Sequence, residues 1–64
     1  MHYFLKEIRE GRGMTISELS RESGVSRQTI SYIEGGKRGT SLEVLAKLAK
    51  ALKVDVKDLI ALEV

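Results

Sequence analysis

The sequence predicts an all-α fold, a compact domain of five short helices, and three observations carry that reading. Apolar residues recur at helical spacing, as Phe4, Leu5 and Ile8 do near the start and Leu45, Leu48 and Leu52 do later. The chain contains no proline, so its breaks fall at glycines and capping residues. Each segment after the first opens on its own start signal, a Thr, Ser or Asp just ahead of an apolar-periodic run.

The first helix is expected from about His2 to Glu10, ended by Gly11 and Gly13. The second begins at Thr15, which forms a T-x-x-E capping box with Glu18, while Met14 and Leu19 have hydrophobic-staple spacing around the cap. It runs to about Ser23. Gly24 follows, where a left-handed residue turns the chain without steric penalty. Ser26 caps the third helix, with Val25 and Ile30 at staple spacing and Gly35 and Gly36 stopping it after Glu34. Thr40 or Ser41 caps the fourth, Thr40 having Glu43 at capping-box spacing, and Leu42, Leu45, Leu48, Ala49 and Leu52 make its apolar stripe. Asp55 caps a short fifth helix in which Val54 and Leu59 are stapled. Helix, glycine turn, helix from Thr15 to Glu34 is the unit that matters for function.

With 64 residues, 1–64 is expected to be one domain, too small for a second catalytic or ligand-sensing unit. There is no cysteine, so neither disulfides nor a thiolate zinc site can staple it, and aliphatic packing must supply the core. The lack of cysteine points weakly to a reducing compartment. No apolar run would cross a bilayer, and Lys6, Glu7, Arg9 and Glu10 interrupt any signal-like start, so the expected location is the cytoplasm, with no membrane partner. The net charge of +2 is too small to imply nucleic acid by itself. The excess does lie early: seven basic against five acidic residues precede Ser41, and the remainder balances.

At about 100° per residue, the third helix places Thr29, Ile30, Ile33 and Glu34 on one side and Arg27, Gln28, Ser31 and Tyr32 on the other. The second set suits base edges. Arg pairs with guanine O6 and N7, Gln with adenine N6 and N7, and Ser with either. The helix N-terminus, with Ser26 and Thr29 beside it, offers N–H groups and partial positive charge to a phosphate. Periodicity alone serves equally for a solvated polar face.

From Thr15 to Leu59 the sequence strongly resembles the helix-turn-helix family of phage repressors and Cro proteins. The ordered set is Thr15 and Glu18, Leu19, Gly24-Val25-Ser26, Thr29-Ile30-Ser31, Ile33-Glu34, then a Gly-Lys turn and a Leu-rich fourth helix. The resemblance implies a third helix lying in the major groove of double-stranded DNA and a second crossing above it. It makes Arg27, Gln28 and Tyr32 the leading base readers, with Ser31 a lesser one. Lys37 and Arg38 match the loop that grips phosphate without reading sequence, where Thr40 or Ser41 could add a contact. For Lys37 and Arg38 a solvated turn is the alternative. The family also pairs a basic residue of the first helix with the acidic residue ending the third, here Arg9 and Glu34. Such a pair would orient the recognition helix, unless both are exposed and contribute little.

Two positions depart from the family pattern. Ile16 stands where a glutamine usually touches phosphate or supports a base reader, so that contact cannot be made; Ser17 could replace it, or Ile16 could simply pack. Gly35 stands where asparagine is common, removing an amide.

Nothing resembles a catalytic constellation, and His2, the only imidazole, reads as a solvated residue beside the terminus. No cofactor or metal is expected. Tyr3 and Phe4 read as first-helix packing. The expected role is sequence-specific DNA binding and transcriptional regulation, repression before activation, as a dimer on a palindromic operator. The alternative is an antitoxin or coactivator-type module that binds a partner protein. Ile60, Leu62 and Val64 could form a twofold patch or fold back on the first helix.

Overall fold

The computed structural model describes residues 2–36 and 40–61. Strand β1 (His2–Tyr3) leads into α1 (Leu5–Gly11), α2 (Ile16–Ser23), α3 (Arg27–Glu34), α4 (Leu42–Leu52), a 3₁₀ turn (Val56–Leu59) and β2 (Ile60–Ala61). The architecture is the all-α one expected, with one change at each end. The segment expected to begin a helix at His2 is extended, because His2 pairs with Ala61 and Tyr3 with Ile60 in an antiparallel ribbon. The Phe4 N–H then donates to the Leu59 carbonyl at 2.9 Å, and α1 starts only at Leu5. The expected fifth helix is a single 3₁₀ turn, since Ile60 is already extended.

The local start signals account for the rest. At Thr15 the capping box is closed both ways: Thr15 Oγ1 accepts from the Glu18 N–H at 3.1 Å, and Glu18 Oε1 accepts from the Thr15 N–H at 2.9 Å. That carboxylate is held below its ordinary range, first by the Thr15 backbone N–H. Gly24 ends α2 at φ 77°, the left-handed geometry expected for the turn into α3. Ser26 Oγ caps α3 by accepting from the Thr29 N–H at 3.1 Å. Of the two candidates for α4, Ser41 is the cap, accepting from the Val44 N–H at 3.2 Å, so the Thr40–Glu43 box does not open the helix.

The core is formed by Leu5, Leu19, Val25, Ile30, Ile33, Leu45, Leu48, Ala49, Leu52 and Leu59, with α2 packed on both α3 and α4. Burying these aliphatics at roughly 1.5–3 kcal/mol for each larger side chain supplies the main driving force. The buried stripe of α4 begins at Leu45. Leu42, expected within it, sits on the first turn beyond the core and is 70% exposed. Tyr3 packs against the core from β1, whereas Phe4 is exposed and precedes the helix instead of packing within it.

Candidate nucleic-acid interface

The third helix is anchored on one side and open on the other. Ile30 and Ile33 are buried, Thr29 and Glu34 are half-buried, and Arg27, Gln28 and Ser31 are exposed on the opposite face. Tyr32 is half-buried beside them. Gln28 Nε2 donates to the Tyr32 hydroxyl oxygen at 3.2 Å, a contact one helical turn long that i,i+4 spacing permits. Neither Arg27 nor Ser31 has a side-chain partner among the described residues.

At the N-terminus of α3 the Ser26 hydroxyl donates to Thr29 Oγ1 at 2.8 Å while accepting from the Thr29 N–H. Ser17 is exposed on α2, Thr40 is half-buried and Ser41 is exposed at the start of α4. Ile16 packs against the core, as one of its two alternatives had it. Lys37 and Arg38 lie outside the described residues, as do Leu62 and Val64. Ile60 belongs to the ribbon, so this residue of the expected twofold patch folds back on β1.

The C-terminus of α3 is tied down by charge. Arg9 Nε donates to Glu34 Oε2 at 2.6 Å and Nη2 to Oε1 at 3.1 Å, a two-pronged pair in which the side chains are only 10% and 7% exposed. The third nitrogen, Nη1, donates to the Met14 carbonyl at 2.7 Å. One guanidinium therefore joins α1, the entrance of α2 and the end of α3. The hydrogen bond to Glu34 is the main reason the Arg9 pKa lies above its ordinary value, against the opposing cost of burial. Among the described residues no buried side-chain nitrogen or oxygen lacks a partner.

Sequence reasoning did not find the Gln28–Tyr32 contact, although its spacing was a usable signal. The Met14 carbonyl left no signal at all, because a backbone acceptor carries no residue identity. Elsewhere, a cleft of about 210 Å³ is lined by Arg12, Met14, Glu22, Ala51, Leu52 and Lys53, and takes no residue from α3. Among the described residues there is no group of three His, Cys, Asp or Glu suited to a metal, and no helix long and apolar enough to cross a membrane.

Comparison with known proteins agrees with this geometry. A family model described as Helix-turn-helix matches residues 5–59. The chain is 47% identical over 58 residues to an uncharacterized HTH-type transcriptional regulator, RghRB, of Bacillus subtilis; the match covers 89% of this chain but only 42% of that protein. Among solved structures it resembles the restriction-modification controller protein C.AhdI from Aeromonas hydrophila, with a TM-score of 0.83 and 34% identity over 88% of this chain and 85% of that one. It also resembles a chain of a SinR–SinI protein complex, with a TM-score of 0.77 and 32% identity over 81% of this chain and 52% of that one. The ordered caps, the glycine turn, the anchored third helix and these matches agree: this chain belongs to the Cro and phage-repressor type of the helix-turn-helix family.

Proposed function

We propose that this chain is a sequence-specific DNA-binding unit of a transcriptional regulator, with α3 laid in the major groove. The observation that carries the reading is the division of α3. Its inner face is fixed by Ile30, Ile33 and the Arg9–Glu34 pair, while Arg27, Gln28 and Ser31 stand exposed together on the outer face. A solvated surface helix needs no such anchoring at its end; a helix that must hold side chains against base edges does.

In this reading Arg27 reads guanine, Gln28 reads adenine, and Ser31 and Tyr32 complete the reading face. Ser17, Ser26, Thr29, Lys37, Arg38, Thr40 and Ser41 face phosphate and fix register without reading sequence. The Ser41 hydroxyl accepts as a helix cap and keeps its proton to donate. No cofactor enters.

The eight residues of α3 span about 12 Å, a few base pairs of groove. The protein is 33 Å in its longest dimension and 20 and 19 Å in the others, so one copy cannot place helices in two successive major grooves about 34 Å apart. The proposed form is a homodimer on a palindromic operator, acting as a repressor by occupying promoter DNA in the cytoplasm. A protein partner is the second reading, favoured by the likeness to a chain solved within a SinR–SinI complex.

The test is selection of bound sequences from a random duplex library. A palindromic winner with half-sites one helical turn apart supports the reading. Recovery of no motif, with binding that only salt controls, overturns it and favours the protein-partner reading.

A further inference from the structure

We infer that Tyr32 is a positioning residue for DNA discrimination, its phenol oxygen holding the Gln28 side chain in place with one N–H and the carbonyl oxygen left to read adenine. The inference rests on the DNA-binding reading above and reassigns Tyr32 from reader to support.

A glutamine amide has two N–H donors on Nε2 and a carbonyl acceptor on Oε1. The Tyr32 oxygen takes one of those N–H groups at 3.2 Å. One N–H and the carbonyl oxygen remain, and these are what adenine asks for in the major groove, a donor for N7 and an acceptor for N6–H. An exposed glutamine without support samples several rotamers, most of which carry the amide away from the base edge. Ordering such a side chain on binding has an entropic cost that prior positioning removes.

Ile16, the residue after the α2 cap, cannot give this support, because it is packed against the core and has no polar side-chain atom to offer. The support instead lies within α3, four residues along from Gln28, on a ring that is itself half-buried. Arg27 and Ser31 have no such partner among the described residues. The helix therefore presents one pre-set reader beside two that adapt to the bases they meet.

The experiment compares wild type, Tyr32→Phe, Gln28→Ala and the double variant on the selected duplex and on its single-base-pair variants. Tyr32→Phe keeps the ring and the fold, checked by an unchanged thermal midpoint. At the base pair where Gln28→Ala loses preference, Tyr32→Phe is expected to lower discrimination for adenine about 2- to 10-fold, with little change at other positions. It should have no further effect in the Gln28→Ala background. In the free protein, the two Gln28 side-chain amide proton resonances should move when Tyr32 becomes Phe. Undiminished discrimination by Tyr32→Phe, or a loss confined to another base pair, overturns the inference while leaving DNA reading intact. A wild type with no preference among the variants overturns the DNA-reading proposal and this inference with it.

Discussion

Replacing Arg9 by Met should destabilise the fold severely while keeping most of the side chain's apolar stem. The substitution removes all three guanidinium hydrogen bonds, two to Glu34 and one to the Met14 carbonyl. It leaves the Glu34 carboxylate, a side chain only 7% exposed, without its counter-charge. Breaking a buried pair by removing one partner costs about 3–5 kcal/mol, and the residual exposure here favours the lower end, about 3 kcal/mol. A chain of 64 residues holds roughly 3–10 kcal/mol in total, so this one change consumes a large share. In urea, with a slope near 1 kcal/mol per M, the midpoint should fall by about 3 M when followed by circular dichroism. In heat the midpoint should fall by about 12–24 °C. The double variant Arg9→Met, Glu34→Leu removes the stranded charge and should recover most of the loss, apart from about 1 kcal/mol for the unpaired Met14 carbonyl. A single variant that loses under about 1 kcal/mol, as exposed pairs do, would refute the reasoning. So would a double variant no better than the single.

Three further outcomes are expected. Gly24→Ala should cost about 1–2 kcal/mol by urea denaturation, wholly from backbone strain at φ 77°, because an added Cβ meets nothing within 4 Å. Glu18 has a folded-state pKa below its unfolded one, so its stabilising effect is complete above the ordinary carboxylate range and is lost as pH falls through the depressed value. Wild type should therefore melt above Glu18→Gln at neutral pH, and the gap should close in acid; a gap independent of pH contradicts this. Arg27→Ala should lose about 1–3 kcal/mol on the selected site and relax one base position, whereas Lys37→Ala should weaken all duplexes alike and reduce the salt slope by about one. Identical behaviour of the two variants would refute the division between reading and gripping.

The parts legible in the sequence were those written within four residues. Thr15 with Glu18, and Ser26, announced two starts because a cap needs only the residue type and the N–H three places on; at Asp55 the start was also legible, although there the backbone N–H donates to the Asp58 carboxylate. The same locality left Thr40 and Ser41 undecided, since both are hydroxyl residues at adjacent positions and only the backbone at Ser41 aims its oxygen at Val44. Pairing between the two ends was not legible. Nothing near His2 and Tyr3 says that Ile60 and Ala61 lie alongside, and two-residue strands carry no alternation to detect. The apolar spacing of α4 included Leu42, but periodicity cannot say where the packed layer stops. In the candidate site the outer face of α3 was readable from the helical wheel. Arg9 and Glu34, 25 residues apart, were joined beforehand only through family resemblance.

In the proposed role this chain tells one duplex sequence from another through the exposed face of α3. The most direct measurement is a fluorescence-anisotropy titration of the full chain with its selected duplex and a scrambled one, at two salt concentrations. A preference of about a thousandfold or more that survives the higher salt is expected. Equal affinities, both collapsing with salt at the same slope, would mean phosphate attraction alone and would contradict it.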